Sequence, residues 1–328
     1  MSQTSKAMME KQASGADLGQ ALVLTDGKAG DRAQCIGLVE RLEMRATEIV
    51  ISPSLVNRTV GVKGHDSSFD SALISVRSPP SLVVASGRRT VPYLRYLQEL
   101  WGASTLTVFL KDPRTGLKTA DLIWVPAHDR LRGGNVIVTP TGPHRFSTTV
   151  RAEAPKKLQA RLGKKTERPW LAVLLGGPSG RVRYDRSTCD ALEAALRKAV
   201  SSGATPIVTA SRRTPAALLD AIKAAHPQGW VWDGKDENPL AGMLGACDGF
   251  FVTGDSHNMV SEALCAGRQT MVFRPKGLPK KFVQFLDRLE CRGAICAPVP
   301  LDPEHRQEPI DATPMIAARI REALGELC

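Results

Sequence analysis

The stretch "FVTGDSHNMVSEALCAG", Phe251 to Gly267, joins a short apolar run to a helical pattern through a few polar residues. Ser256 suits the N-cap of the helix, because its hydroxyl can accept a hydrogen bond from a free N–H group of the first turn. The apolar residues after it recur at helical spacing. The stretch therefore predicts a strand followed directly by a helix, the unit from which open parallel sheets are built.

The same alternation continues on both sides of this stretch. Continuous apolar runs are typical of strands buried on both faces of a parallel sheet. In the second half we predict strands at Leu171–Leu175, Pro206–Thr209, Trp230–Trp232, Gly249–Val252 and Thr270–Phe273. Helices are predicted between them near 186–201, 215–225, 239–246 and 257–266.

The first half repeats the pattern. Strands are predicted at Ala21–Thr25, Leu82–Ser86, Leu106–Leu110, Asp121–Val125 and Val136–Thr139, with helices at Ala33–Met44 and Val91–Trp101. Two such blocks predict an α/β fold with two doubly wound, Rossmann-like domains facing a cleft.

The domain boundaries follow from composition. We predict a disordered tail at 1–18, a first domain at 19–150, a basic linker at 151–168 that is either helical or loose, and a second domain at 169–328, whose last helix is free to pack back on the first domain.

The net charge of +11 is unevenly distributed along the 328 residues. Residues 1–150 and 151–168 each carry +5, whereas residues 169–328 carry only +1. Basic surfaces attract anionic lipid or anionic substrates. We therefore expect the N-terminal half to contact an anionic acceptor and, peripherally, a membrane.

Several classes of protein are disfavoured. No run approaches the length of a membrane span and the first residues lack a signal-peptide core, so we expect a cytoplasmic protein. Aromatic residues make up only 5% and no basic stretch is interleaved with them, so we expect no nucleic-acid partner. The seven cysteines form no CxxC pair, and we expect no metal site.

Polar loops follow two of the predicted strands in the second half. In "LLGGPSGRVRYD", the glycines and the serine could let backbone N–H groups wrap a phosphate, with Arg181 or Arg183 nearby. The candidate residues of this loop are Gly176, Gly177, Pro178 and Ser179. A plain Gly-Pro turn is the alternative. In "TASRRTP", Ser211, Arg212 and Arg213 lie before a well-signalled helix start, and two guanidinium groups suit a diphosphate. A solvated arginine pair is the alternative.

The opening stretch supplies the third loop. Glu262 is one turn beyond the position of a capping-box glutamate, so capping does not account for it. Its carboxylate could accept hydrogen bonds from a ribose diol while the helix N-terminus faces phosphates. The candidate nucleotide-sugar residues here are Asp255, Ser256, Asn258, Met259 and Glu262.

Several blocks together resemble the "elongated mitochondria" family of mitochondrial-fission proteins and its bacterial relatives. They are "LTDGKAGDRAQCIGL", "SGRRTVPYLRYL", "DLIWVPAHDRLRGGNVIVTPTGPHR", "LLGGPSG", "TASRRTP" and "DSHNMVSEALCAG". The resemblance implies the two-domain GT-B glycosyltransferase fold and a nucleotide-sugar site. It also implies a link to fission, since plant members are described as recruiting fission machinery.

In such a fold the loop "LTDGKAGDRAQ" belongs to the acceptor-side domain. An inverting transferase needs a base for the acceptor hydroxyl. We rank Asp31 first and Asp26 second, with His128 and His144 as further candidates. The residues expected to bind the acceptor are Lys28, Gln34, Arg88 and Arg89.

The sequence thus predicts a metal-independent glycosyltransferase. Its co-substrate is a nucleotide-diphosphate sugar, expected to be UDP-linked, and we expect no other cofactor. The acceptor is an anionic glycan or a lipid-linked molecule. A sugar-nucleotide 2-epimerase and a non-catalytic adaptor that binds a partner or a membrane surface are the alternatives.

Overall fold

The computed structural model describes residues 19–51, 67–74, 76, 78–163 and 166–326. The predicted tail at 1–18 lies outside these residues. The chain divides into two compact units. The first runs to Val125 and also takes Leu131–Val138 and the segment from Thr313 onwards, and the second takes Pro126–Arg130 and Thr139–Ala312.

The first unit is built on a six-stranded sheet in the order β2-β1-β3-β4-β5-β6, in which the pairs from β2 to β5 are parallel. Its strands are β1 Gln20–Thr25, β2 Arg45–Val50, β3 Leu82–Ser86, β4 Leu106–Leu110, β5 Leu122–Pro126 and β6 Val136–Thr139. Its helices are α1 Ala29–Arg41, α2 Ser67–Leu73, α3 Val91–Trp101 and, from the end of the chain, α10 Thr313–Gly325, which packs against α1.

The second unit has a five-stranded parallel sheet in the order β11-β10-β7-β8-β9. Its strands are β7 Trp170–Leu175, β8 Thr205–Ala210, β9 Trp230–Val231, β10 Gly249–Thr253 and β11 Gln269–Phe273. Its helices are α4 Thr148–Leu162, α5 Arg186–Ala199, α6 Ala216–Ala225, α7 Leu240–Ala246, α8 His257–Leu264 and α9 Lys280–Glu290.

Both faces of the second sheet are covered. Ala172 and Leu174 of β7 belong to one buried cluster, and Leu171, Val173 and Leu175 belong to another. Alternate residues of one strand therefore enter two cores, as expected for a doubly wound sheet. The predicted α/β class is confirmed.

The predicted basic linker at 151–168 is helical as far as Leu162, and this helix belongs to the second unit. Residues up to Leu162 belong to α4, whose N-cap Ser147 accepts a hydrogen bond from the N–H of Val150. Leu158 and Leu162 are buried, and the helix packs against α7 so closely that a Cβ on Gly245 would lie 1.9 Å from the carbonyl oxygen of Arg151. A largely polar helix with two buried apolar residues resembles a charged connector in sequence.

This helix changes where the positive charge lies. Because α4 belongs to the second unit, that unit has 26 Lys and Arg against 19 Asp and Glu, whereas the first has 18 against 14. The second unit is thus the more basic one, which removes the basis for expecting membrane contact through the N-terminal half. None of the helices within the described ranges combines the length and apolar character of a transmembrane span.

Two elements of the first unit also differ from the predictions. Helix α1 begins at Ala29 rather than Ala33, because Gly27 takes a positive φ of 81° and completes the turn early. Strand β2 was not predicted. Only Ile49 of its six residues is buried, so this edge strand has no continuous apolar run.

Candidate functional site

A buried carboxylate joins the loops that follow three neighbouring strands of the second sheet. Asp255, just after β10, has a side chain with 0% exposure. Its oxygens accept hydrogen bonds from the Gly177 N–H at 3.1 Å and the Tyr184 hydroxyl at 2.9 Å. The Arg213 guanidinium lies 3.9 Å away. Asp255 therefore organises the carboxyl edge of the sheet, where open α/β folds bind ligands.

The two glycines after β7 are explained by close packing. A Cβ on Gly176 would lie 2.2 Å from Asp255, and one on Gly177 would lie 2.3 Å from the carbonyl oxygen of Arg213. The Gly176 N–H donates to Thr253 Oγ1 at 2.7 Å, and the Gly177 N–H is held by Asp255. The predicted phosphate cradle is therefore wrong for these two N–H groups. Pro178 and Ser179 follow them and are exposed.

Both arginines of the loop after β8 are exposed, but they differ in their bonds. Arg213 donates to the carbonyl oxygens of Gly177 and Pro178 at 3.2 and 3.0 Å, although 46% of its side chain is exposed. Arg212 forms no ion pair in the described part of the chain. Ser211 bonds Thr214, whose hydroxyl also reaches the carbonyl oxygen of Gly176 at 2.6 Å. Arg212 is thus the member of the predicted pair that is not committed to a neighbouring loop.

Helix α8 carries the remaining candidates. Ser256 is its N-cap and accepts a hydrogen bond from the Met259 N–H at 3.3 Å. Asn258 is half-buried, and Glu262 is only 9% exposed. Burial raises the pKa of Glu262 to about 7, although the charge of His144 opposes the rise. Glu262 is therefore a buried carboxyl that changes protonation near neutral pH.

His144 is buried beside an acidic residue. Its Nε2 lies 3.2 Å from a carboxylate oxygen of Asp311, and its Nδ1 accepts a hydrogen bond from the Phe146 N–H at 3.2 Å. Burial disfavours the charged ring, but hydrogen bonds with Asp311 and Cys265 outweigh burial and raise the pKa of His144 to about 10. A raised pKa does not favour a general base that must be unprotonated at neutral pH. His144 therefore stays a lower-ranked prediction for the base.

His128 belongs to the second unit rather than the first. Its ring lies 5.4 Å from that of His257 and 5.3 Å from that of Phe285, measured between centroids. Burial lowers its pKa, so its ring is neutral at neutral pH. The prediction that His128 shares a domain with Asp26 and Asp31 is wrong, because the segment after β5 leaves the first sheet.

The two candidate carboxylates of the first unit both pair with lysines. Asp31, in the first turn of α1, is 7% exposed and bonds Lys111, while Lys28 Nζ lies 4.0 Å from its other oxygen. Asp26 accepts a hydrogen bond from Lys28 at 2.6 Å, and its Oδ1 is buried without a hydrogen-bond partner among the described residues. Asp26, Gly87 and Lys111 each directly follow one of three neighbouring strands.

The expected acceptor-binding residues differ in exposure. Lys28 is exposed, and Arg88 and Arg89 are exposed in a single turn after β3. Gln34 is 1% exposed, so the structure places it in the packing of α1 and away from solvent. Three of the four can therefore meet an acceptor at the surface.

Sequence reasoning missed three residues of these clusters. Lys111 directly follows the apolar strand β4 and has a positive φ of 78°, which is rare for lysine. Tyr184 lies nine residues after β7, and its contact with Asp255 has no signal in the spacing. His257 is the first residue of α8 and was visible within the motif, but the neighbouring Asn258 was preferred.

Sequence comparisons identify relatives along most of the chain. A family model described as "Mitochondrial fission ELM1" matches residues 29–324. The "Mitochondrial fission protein ELM1" of Arabidopsis thaliana is 24% identical over 274 residues, which cover 75% of this chain and 64% of the plant protein, just under two thirds of its length. "Uncharacterized protein RP120" of Rickettsia prowazekii (strain Madrid E) is 22% identical over 348 residues, covering 92% of this chain and 98% of that protein.

Structural comparisons support the fold. The co-structure of S. aureus MnaA with UDP has a TM-score of 0.53 at 11% identity and covers 93% of this chain and 97% of that chain. The UDP-GlcNAc 2-epimerase of Neisseria meningitidis bound to UDP-GlcNAc has a TM-score of 0.52 at 9% identity and covers 94% and 100%. At such low identity these matches establish a GT-B-like fold and no activity.

We predict that Glu262→Gln stabilises the ligand-free protein at pH 8 and has little effect near pH 4.5. The pKa of Glu262 is raised by folding, so its contribution to stability is present below about pH 4.5 and is lost as the pH rises through about 7. The expected gain at pH 8 is on the order of 1–3 kcal/mol. Urea unfolding at both pH values measures it.

Glu308→Gln is the matched control, because Glu308 is exposed and its substitution should leave the pH profile unchanged. An equal gain for Glu262→Gln at both pH values would contradict the assignment of a buried, ionising carboxyl.

Proposed function

This chain belongs to the mitochondrial fission ELM1 family, and on that premise we propose that it is a metal-independent glycosyltransferase. Its donor is a nucleotide-diphosphate sugar, expected to be UDP-linked. Its acceptor is an anionic glycan or a lipid-linked molecule, and we place the reaction in the cytoplasm.

The loop arrangement tied together by Asp255 carries this proposal. It brings the exposed Arg212 to the same sheet edge as the capped N-terminus of α8, since β8, β7 and β10 are neighbours in the sheet. A guanidinium and a helix N-terminus both favour a diphosphate. These groups can stabilise the charge on the leaving nucleoside diphosphate without a metal ion.

Glu262 and Asn258 are assigned to the ribose. They lie four residues apart on α8, so they face the same side of the helix. A buried carboxylate that accepts two hydroxyl hydrogen bonds is favoured in its ionised form, so we expect the donor to bind more weakly as the pH falls below about 7. Asp255, Ser211 and Arg213 position the loops around the donor.

The acceptor's proton is assigned to a carboxylate of the first unit. During transfer the acceptor oxygen forms the new bond to the sugar, the bond from the sugar to the diphosphate breaks, and the hydroxyl proton passes to the base. Asp31 remains the first candidate and Asp26 the second. Asp26 gains support from Oδ1, a buried acceptor oxygen that no described group bonds.

Related proteins support the choice of donor class. Two structural neighbours, S. aureus MnaA and the N. meningitidis epimerase, have structures with UDP and with UDP-GlcNAc bound. One of the two is a 2-epimerase, so epimerisation is the enzymatic alternative. NMR of the donor with this protein alone separates the two reactions, because only an epimerase converts the sugar without an acceptor.

Calorimetric titration with UDP-, GDP-, ADP- and CMP-sugars tests the donor site. We expect one class to bind and Glu262→Ala to weaken that binding by about 1–3 kcal/mol, the usual cost of losing hydrogen bonds to a charged group. Glu308→Ala serves as the exposed control. If no nucleotide sugar binds, the non-catalytic adaptor replaces the transferase as the proposed function.

We predict that Asp31→Asn lowers the release of nucleoside diphosphate about 10²–10⁴-fold, the usual contribution of a positioned base, with donor affinity unchanged. Asparagine keeps the size of the side chain and removes its proton affinity. Initial rates with the donor that binds measure the effect.

Lys111→Asn separates chemistry from packing. It removes the ammonium partner of Asp31 and places an asparagine, which tolerates positive φ, at the left-handed position. We expect this variant to retain far more turnover than Asp31→Asn. Equal losses in the two variants would reduce Asp31 to a structural ion-pair partner and move the test for the base to Asp26.

A further inference from the structure

The excess positive charge of the second unit is concentrated at one edge of its sheet. The segments 176–186, 211–215, 254–257 and 274–281 follow β7, β8, β10 and β11. Together they hold nine Lys and Arg against two Asp and Glu. The rest of the unit holds 17 of each sign. These four loop segments thus account for the net charge of +7 in this unit. Two of their cations form ion pairs with acidic residues just outside the segments, Arg186 with Asp190 and Arg274 with Asp287 and Glu290.

Two of these loops are joined into one surface. The Arg183 N–H donates to the carbonyl oxygen of Lys276 at 3.1 Å. A Cβ on Gly277, which has a φ of 84°, would lie 2.0 Å from the carbonyl oxygen of Arg181. The backbones of the β7 and β11 loops thus touch. We call the exposed cations that they carry, Arg181, Arg183, Lys276 and Lys280, the basic loop surface.

Among the described residues, none of these four cations forms a salt bridge. Lys276 donates to the hydroxyl of Ser187 at 2.9 Å. The acidic residue of the same loop, Asp185, caps helix α5 by accepting a hydrogen bond from the Thr188 N–H. Hydrogen bonds from Thr188 and Ser187, together with the nearby charge of Lys276, lower the pKa of Asp185. Clustered like charges repel one another unless an external anion balances them.

A nucleotide-diphosphate sugar does not require so many cations. Its two phosphates can be bound by Arg212 and the start of α8, with Arg181 or Arg183 as one further arginine nearby. Most of the basic loop surface therefore has no assigned ligand. The loop after β9 has the opposite character, with one lysine against three acidic residues in 232–239. The positive charge along this sheet edge therefore increases from β9 towards β11.

We propose that the basic loop surface docks the second unit onto an anionic lipid bilayer. The cations stand at exposed positions in the two loops and at the first residue of α9. The residues that separate Lys276 from Lys280 are small or apolar, namely Gly277, Leu278 and Pro279. Such residues suit a lipid headgroup region, whereas a polynucleotide usually requires aromatic or amide side chains for its bases. This docking is independent of the proposed transferase activity.

Sedimentation of the full chain with vesicles tests the proposal. We expect binding to phosphatidylcholine vesicles that contain phosphatidylglycerol, weakening with added salt, and no binding to pure phosphatidylcholine. The variant Arg181→Gln/Arg183→Gln/Lys276→Gln/Lys280→Gln should bind about 5-fold more weakly per cation removed, and several hundred-fold more weakly in total. Circular dichroism confirms that the variant is folded.

The control removes four exposed cations elsewhere in the second unit: Lys156→Gln/Lys198→Gln/Lys223→Gln/Arg292→Gln. Its net charge equals that of the test variant, so general attraction is matched, and we expect it to bind nearly as the wild type does. Equal weakening of both variants would overturn the proposal. The proposal would also be overturned if the wild-type protein did not bind the vesicles, whether or not it bound a single-stranded polynucleotide.

Discussion

The buried carboxylate of Asp255 is the interaction on which the candidate site depends. It lies at the end of β10 and accepts hydrogen bonds from the loop after β7, through Gly177 and Tyr184, while Arg213 brings in the loop after β8. A fully buried carboxylate is costly unless such donors surround it. Burial and the charge of Asp255 raise the pKa of Tyr184, so its hydroxyl remains a donor at neutral pH.

This constraint divides the polar residues of the edge into two groups. Gly176, Gly177 and Arg213 are used in holding the loops together, whereas Arg212 and Glu262 are not bonded to these loops. A sequence motif alone does not separate the residues that hold the loops together from the residues that can contact a ligand. Substituting Arg213 should disturb the loop itself, whereas substituting Arg212 removes only an exposed charge.

The sequence predicts the parts of the fold that have a continuous apolar signal. Strands such as Leu82–Ser86 and Leu106–Leu110 occur where predicted, because buried parallel strands have few polar residues. Helix α4 has the composition of a charged connector because only two of its residues, Leu158 and Leu162, enter the core. The contacts of Tyr184 and Lys111 depend on residues distant in sequence, as does the raised pKa of His144, which comes from Asp311 and Cys265. One sequence without an alignment has no signal for such pairings.

Amide hydrogen exchange of Asp255→Asn tests most directly whether Asp255 organises this edge. Asparagine keeps one acceptor oxygen and loses the charge, so we expect exchange at Gly177 and in 211–214 to become about 10–100-fold faster, with β8 unchanged. The control is Asp185→Asn, which changes an exposed helix cap in the loop after β7, the loop that also contains Gly177. This variant should affect only the first turn of α5. If Asp255→Asn left the protection of Gly177 at the wild-type level, the buried carboxylate would not be what holds the site together.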